Sequence, residues 1–290
     1  MRTINPKEIP VPQLHGLLQS AVSPRPIAFA GTVDKYGNVN LSPFSFFNVF
    51  SSNPPILVFS PSRRVRDNTT KHTLQNILEV PEVVINIVSY DMVQQASLSS
   101  VEFPKGANEF KKSGLREVAS QMVKPPRVGE SPVSFECNVN QVIPLGDKGG
   151  AGNLILCEIL LIHFKEEIFD ANGKIDPHRI DAVARMGGDY YCRANGENIF
   201  TVPKPNDKLT IGYDQIPEHI RNSKILSGND LGMLGNVERL PDLEAVNKIL
   251  ERPEVQSALG QGQTTIQSLA KEYLRKGHVA DAWAVLLAGR

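Results

Sequence analysis

Pro26-Ile-Ala-Phe-Ala-Gly-Thr-Val33 runs into Asp34-Lys-Tyr-Gly-Asn38 and then into Val39-Asn-Leu-Ser42. The first segment is short and apolar, as a buried strand is. The second has hairpin-turn chemistry, because Gly37 and Asn38 can take positive φ. The third begins the return strand. The pattern continues downstream. Pro54-Pro55 resets the chain, and Ile56-Leu-Val-Phe-Ser60 is a continuous apolar run. Glu82-Val-Val-Ile-Asn-Ile-Val-Ser89 is rich in β-branched residues. Val133 to Ile143 and Leu154 to Phe164 are two further runs, joined through Gly146-Asp-Lys-Gly-Gly-Ala-Gly152 as a hairpin. Asn172-Gly173 marks another tight turn. Two short helices interrupt the strands: Thr70 to Leu78, with Thr70 as its N-cap, and Asp91 to Ser99, starting on a capping Asp. Many strands with few, short helices predict a mainly β sandwich or barrel.

The character changes near Thr201. Val202-Pro-Lys-Pro205 reads as a linker. Beyond it, Leu240, Leu243, Val246, Ile249 and Leu250 recur at helical spacing, as do Ile266, Leu269, Tyr273 and Leu274, and Val279, Trp283, Leu286 and Leu287. Residues 1–203 are therefore expected to form the strand-rich domain and residues 204–290 a helical extension. Ser227 to Asn236 reads as ordered turn chemistry.

Lys plus Arg equals Asp plus Glu at 31 each, which gives no reason to expect nucleic acid or an anionic membrane as partner. The N-terminal stretch lacks the apolar core of a signal peptide, and no window approaches the roughly 20 apolar residues of a membrane span. Cys137, Cys157 and Cys192 are sparse and lack C-x-x-C spacing. They predict neither a disulfide framework nor a zinc site, and they suit a reducing cytoplasm. No histidine pair has metal-ligand spacing. P-loop, zincin, nucleophile-elbow and dinucleotide-binding signatures are absent, so neither a metal nor a catalytic side chain is assigned.

Two segments carry chemistry. Ser60-Pro-Ser-Arg-Arg-Val-Arg-Asp-Asn-Thr-Thr-Lys-His-Thr73 leaves a buried strand and enters a helix. A phosphate monoester is held by hydroxyls, by backbone N–H groups at a helix start and by one or two cations. This segment offers all three, although a solvated basic loop has the same composition. Asn40-Leu-Ser-Pro-Phe-Ser-Phe-Phe-Asn48 sets Ser45 and Asn48 among aromatics. That suits the apolar faces and polar edge of a flat heteroaromatic ring. Phe44, Phe46 and Phe47 equally suit plain core packing.

These segments, in this order, resemble the flavin-reductase-like family, whose fold is the FMN-binding split barrel. The likeness starts at Ser23-Pro-Arg-Pro-Ile-Ala-Phe and passes through Asn40 to Asn48, Lys71-His-Thr-Leu-Gln-Asn-Ile77 and Val84-Ile-Asn-Ile-Val88. It continues at Phe103-Pro-Lys-Gly-Ala-Asn-Glu-Phe110 and Ser131-Pro-Val-Ser-Phe-Glu-Cys137, and ends at Arg185-Met-Gly-Gly-Asp-Tyr-Tyr191. It implies a homodimer of six-stranded Greek-key split β-barrels with FMN near the dimer interface. The phosphate would meet Ser60, Ser62, Arg63 or Arg64, Lys71 and Thr73. Arg63, Arg64 and Arg66 are not separable, because the loop from Pro61 to Thr70 varies in length across the family. The ring would lie over Asn40, Ser42, Ser45, Phe46, Phe47 and Asn48, with Arg25 near ring or phosphate and Met186 and Tyr190 on the far side. Many relatives have Lys-Asp-Thr where this chain has Lys71-His72-Thr73.

The implied activity is that of an oxidoreductase. NADH or NADPH would deliver hydride to bound FMN, and electrons would leave to a small-molecule or protein acceptor. Hydride transfer needs no acid or base side chain, which fits the missing motifs. The alternatives are a non-enzymatic FMN electron carrier of the flavoredoxin type, and a barrel that has lost its flavin. Lys71, Thr73, Ser45 and Asn48 speak against the last.

Overall fold

The computed structural model describes residues 1–205 and 208–289. Asn206, Asp207 and Arg290, all within the expected extension, lie outside the described residues. The chain divides into two compact units, Met1–Phe200 and Thr201–Arg290.

The first unit is built on eleven strands: β1 (Ala28–Val33), β2 (Val39–Phe44), β3 (Phe47–Ser52), β4 (Pro55–Phe59), β5 (Glu82–Ile87), β6 (Glu117–Val118), β7 (Arg127–Val128), β8 (Val133–Pro144), β9 (Asn153–Phe164), β10 (Val183–Arg185) and β11 (Tyr191–Arg193). Its helices are α1 (Val11–Ala21), α2 (His72–Glu79), α3 (Val93–Leu98), α4 (Glu109–Ser113) and α5 (Pro177–Ile180). The main sheet has the order β2-β1-β5-β8-β9-β4-β3, and every pairing in it is antiparallel. β6 pairs with β7 and β10 with β11.

The expected β1–β2 hairpin forms around Asp34. Its Oδ1 accepts from the N–H groups of Tyr36 and Asn38, both at 2.9 Å. Gly37 supplies the positive φ of 84°, while Asn38 stays outside that region. β8 and β9 also pair as the sequence pattern requires, and the Leu145 N–H to Gly152 carbonyl bond closes their loop.

The six-stranded expectation is corrected: the sheet has seven strands and is not hydrogen-bonded shut. The missed strand is β3. It is an edge strand in which Asn48, Val49, Phe50 and Ser52 are all exposed, so it lacks the buried alternation that marks a strand in sequence. The strand-rich part is mixed rather than mainly β, because five α-helices accompany its strands; the other six α-helices among the described residues lie beyond Thr201, where helices were expected.

The two edges of the sheet, β2 and β3, are consecutive in the chain, and only Ser45 and Phe46 join them. A flat sheet of this size would hold its edges about 29 Å apart. The link from Phe44 to Phe47 reaches at most about 11 Å. The sheet therefore curls until its edges meet at that end. Phe44 of β2 lies against Phe59 of β4, with ring centroids 5.4 Å apart. Ala30, Ile85, Cys137, Ile155 and Cys157 complete the enclosed core, and α2 adds Leu74 and Ile77. Burial pushes both thiols well above the ordinary range, so they pack as apolar groups. Phe29, Leu41, Met92 and Phe110 form a second cluster with α3 and α4.

Two expected helix starts are corrected. Lys71, not Thr70, is the N-cap of α2, and it makes no capping bond. Thr70 Oγ1 accepts from Gln75 Nε2 instead (3.1 Å). Asp91 lies within a single 3₁₀ turn, Tyr90–Met92, and Met92 precedes α3.

The second unit holds α6 (Glu218–Arg221), α7 (Gly228–Gly235), α8 (Leu243–Leu250), α9 (Pro253–Gln261), α10 (Gln263–Arg275) and α11 (Val279–Ala288). Its core gathers Ile216, Leu234, Ile249, Ile266, Leu274 and Trp283, and every member belongs to this unit. Ser227-Gly-Asn-Asp230, expected to be a turn, opens α7 with a capping box. Gly228, Gly232 and Gly235 conceal that helix in the sequence.

One buried charge fixes the periphery of the first unit. Glu136 of β8 is fully buried and accepts from the N–H groups of Gln121 (2.9 Å) and Met122 (2.5 Å), with His163 Nε2 at 2.6 Å. Burial alone would raise its carboxyl pKa. The two N–H groups and the imidazole more than offset this and hold it below the ordinary range. A depressed carboxyl contributes stability above its unfolded pKa and loses it as pH falls through the folded one. Glu136→Gln is therefore expected to cost about 2 kcal/mol or more at neutral pH. The gap to the parent protein should narrow in acid, as read by urea unfolding at several pH values. Identical neutral midpoints would refute the role.

Candidate functional site

The anion-binding candidate is built where β4 ends and α2 begins. The start of α2 has no side-chain cap. Its first N–H groups and the positive end of its dipole are therefore available to an outside acceptor. A small pocket at this start is lined by Asn40, Ser42, Arg64, Lys71, Thr73 and Glu102, among others. Thr73 is buried, and its Oγ1 accepts from Asn40 Nδ2 at 3.0 Å, tying the helix start to β2. Glu109 of α4 holds β2 from outside by accepting from the Leu41 N–H (3.0 Å).

The electrostatics are those of a crowded cation site. Burial lowers the Lys71 pKa, and the charges of Arg64 and Arg66 lower it further against the opposing pull of Glu102. Burial and then Arg64, Lys105 and Lys71 lower that of His72, which keeps its ring neutral at neutral pH. Arg64 donates to Thr69 Oγ1 (2.8 Å), to the Thr70 carbonyl (2.9 Å) and to Glu102 (2.8 Å). Arg66 also pairs with Glu102. Hydrogen bonds from these two arginines hold the Glu102 carboxyl below its usual range.

The ring candidate adjoins this pocket. A cavity of ≈ 210 Å³ is lined by Pro43, Phe44, Ser45, Arg185 and Tyr191, and it shares Ser100 with the anion pocket. Arg25 stands behind Ser45. It is buried and donates to Ser45 Oγ (3.4 Å), to the carbonyls of Val22 (2.7 Å) and Met186 (3.0 Å), and to that of Gln19. Burial, then the neighbouring Arg185, lowers its pKa. Arg25 thus ties the end of α1, the β2–β3 link and the 186 loop together.

The expected residues fall into two groups. Asn40, Ser42, Arg64, Lys71 and Thr73 meet at the anion pocket, while Ser45, backed by Arg25, meets the ring cavity. The others line neither. Ser60 donates its N–H to the Phe46 carbonyl (2.8 Å) as a ladder bond, and Ser62 sits in the loop beyond. Arg63 turns to Asn68 Oδ1 (2.7 Å). Phe46 meets His15 edge-on, Phe47 packs on the core, and the Asn48 side chain accepts from the Val49 N–H (2.8 Å). Met186 contributes its carbonyl to Arg25, and Tyr190 is exposed.

Sequence reading missed Ser100, Glu102, Arg185 and Tyr191. The last two lie inside the quoted Arg185 to Tyr191 segment. Glu102 carries no signal until the fold sets it against Arg64. Among the described residues, no cluster of His, Cys, Asp and Glu is placed to hold a metal ion. Nor, among the described residues, is any helix long and apolar enough to cross a membrane.

The family model described as flavin reductase like domain matches residues 20–177. An uncharacterised protein of Aquifex aeolicus is 40% identical over 191 residues, which are 95% of its length and 66% of this chain. About a third of this chain thus has no counterpart there. The solved structure of nitrilotriacetate monooxygenase component B from Bacillus cereus is similar at 27% identity and a TM-score of 0.65, covering 70% of this chain and 98% of that one. A split-barrel-domain protein of Shewanella frigidimarina shares the fold, at 24% identity and a TM-score of 0.59 over 70% of this chain and 100% of that one.

Glu102 and Glu109 are the carboxylates lining the anion pocket, and Glu102 is the one paired with Arg64. Glu102→Gln is expected to tighten the binding of a phosphate monoester about three- to tenfold at low salt, with the gain shrinking as salt rises. Calorimetric titration with FMN measures it. Weaker binding by the variant would show that Glu102 supports the ligand.

Proposed function

We propose, since the chain belongs to the flavin reductase-like family, that it binds FMN and works as an oxidoreductase fed by NADH or NADPH. The observation that carries this reading is the uncapped start of α2, with Ser42, Arg64, Lys71 and Thr73 around one pocket that opens beside an aromatic-walled cavity. A phosphate monoester matches the first part and a flat ring the second. When bound, FMN would accept hydride from a reduced nicotinamide and pass electrons on to a small-molecule or protein acceptor.

The chain's own share is placement. Lys71, Arg64 and the first N–H groups of α2 would hold the phosphate, and the Thr73 hydroxyl would add a donor. Ser45 would meet the polar edge of the ring, with Arg25 fixing its position. Phe44 would shield one side of the ring from water. No acid or base is required of the protein for hydride transfer, and none is assigned.

A second copy of the chain is the expected partner. Val49 and Phe50 of β3 and Leu160, Ile162 and Phe164 of β9 leave apolar side chains exposed on strands that flank β4. Such faces suit a dimer interface. The reading also places the protein in the cytoplasm, where reduced nicotinamides are available.

Purified protein is expected to be yellow, or to turn yellow on adding FMN, and to run as a dimer in sedimentation analysis. Lys71→Ala combined with Thr73→Ala should lose FMN on gel filtration. A colourless parent protein that binds no added FMN sinks the reading. Oxygen-free mixing with NADH and with NADPH then separates two roles. Rapid bleaching marks a reductase, whereas a yellow protein that neither cofactor bleaches is an electron carrier fed by another protein.

A further inference from the structure

His72 lines the anion pocket beside Lys71 and Arg64. It is the first residue of α2, and it is half-buried. Its imidazole makes no hydrogen bond or ion pair among the described residues. Two other histidines of the same unit are engaged. His163 Nε2 lies 2.6 Å from Glu136 Oε1, and His15 meets Phe46 edge-on.

The charges that bear on the His72 ring come from two loops. Lys71 and Arg64 belong to the loop before α2, and Glu102 and Lys105 to the loop between α3 and α4. Glu109 of α4 lines the pocket as well, but its Oε2 accepts from the Leu41 N–H of β2 at 3.0 Å. β2 presents Asn40 and Ser42 to the pocket, and neither carries charge. Three cations thus face one carboxylate at the ring, and Glu102 is already paired with both Arg64 and Arg66. That field repels a proton from the imidazole, in keeping with its lowered pKa. Arg64 is spent on Thr69, Thr70 and Glu102. Lys71 Nζ and the His72 ring, by contrast, hold nothing among the described residues.

A phosphate monoester would reverse this field. Its second ionisation falls near about pH 6, so at neutral pH it carries more than one negative charge. Beside such an anion a proton on His72 is attracted rather than repelled. The protonated ring then gives a charge-assisted donor, which the neutral ring does not. We propose that His72 is a phosphate ligand of this pocket and that its imidazole takes up a proton from solvent as the phosphate monoester binds. The proposal rests on reading the pocket as the flavin phosphate's, and it adds a residue that couples flavin affinity to pH. Linkage fixes the sign: binding that takes up a proton tightens as pH falls. The ligand's own ionisation acts the other way, because FMN loses charge below about pH 6. The part due to His72 is therefore the difference between the parent protein and a variant whose side chain cannot take a proton.

The test compares the full-length parent protein with His72→Gln, using FMN and riboflavin, which lacks the phosphate. Calorimetric titration across pH gives affinities, and repeats in two buffers of different ionisation enthalpy give the protons exchanged. The ratio of variant to parent Kd for FMN is expected to grow about tenfold as pH falls from about 8 to about 5.5. At neutral pH the parent should take up more protons with FMN than the variant does. With riboflavin the ratio should stay constant. A constant ratio with FMN overturns the proposal, as does equal growth with riboflavin. Should His72→Gln not fold, the parent protein decides: net proton uptake with FMN but not with riboflavin upholds the proposal, and any other result overturns it. Failure of the parent to bind FMN at any pH overturns the flavin reading and this proposal together. Firm FMN binding with the same pH trend in both proteins overturns this proposal alone.

Discussion

Ser45 and Phe46 impose the constraint on which the first unit depends. They must carry the chain from one edge of a seven-stranded sheet to the other, a distance that no flat sheet allows. Curling follows, and with it the enclosed core around Phe44 and Phe59. The same link puts Ser45 and Phe44 on the wall of the ring cavity. The bend that closes the fold and the wall that faces the ligand are thus one piece of chain. Arg25 belongs to this arrangement as well, since its guanidinium holds the bend against α1 and the 186 loop.

The second organising feature is an excess of positive charge over what the protein itself neutralises. At the α2 start, Arg64 and Arg66 pair with Glu102, and Arg66 also with Asp67, while Lys71 has no ion-pair partner among the described residues. At the ring cavity, Arg25 and Arg185 lie side by side without an acid between them. Burying like charges together is unfavourable unless an anion joins them. Elsewhere the same unit pairs its buried charge carefully, as Glu136 shows with its N–H donors and His163. The contrast between a buried carboxylate matched by its donors and pocket cations such as Lys71 and Arg25, which have no counter-charge among the described residues, separates the periphery from the site.

Much of this was legible in the sequence. Apolar runs bounded by turn residues located β1, β2, β4, β5, β8 and β9, because each has a buried face. β3 escaped because an exposed edge strand leaves no such pattern. Hydroxyls and cations before a helix pointed to Lys71 and Thr73, which lie close in sequence and meet at one helix start. Arg63 and Arg64 could not be told apart. Only the fold turns Arg63 to Asn68 and Arg64 to the pocket. Asn48 looked polar among aromatics, yet its side chain serves its own strand. Glu102, Arg185 and Tyr191 matter through partners distant in the chain, and spacing cannot reveal such meetings.

The separate core of the second unit has a consequence for how this protein could change over generations. The apolar cluster that holds Trp283 is built from residues after Thr201, and the sheet's core cluster contains none of them. A shorter relative such as the Aquifex protein does without a third of this chain. A gene could therefore gain or lose the helical segment together with its own core, and selection could refine the two cores at different rates.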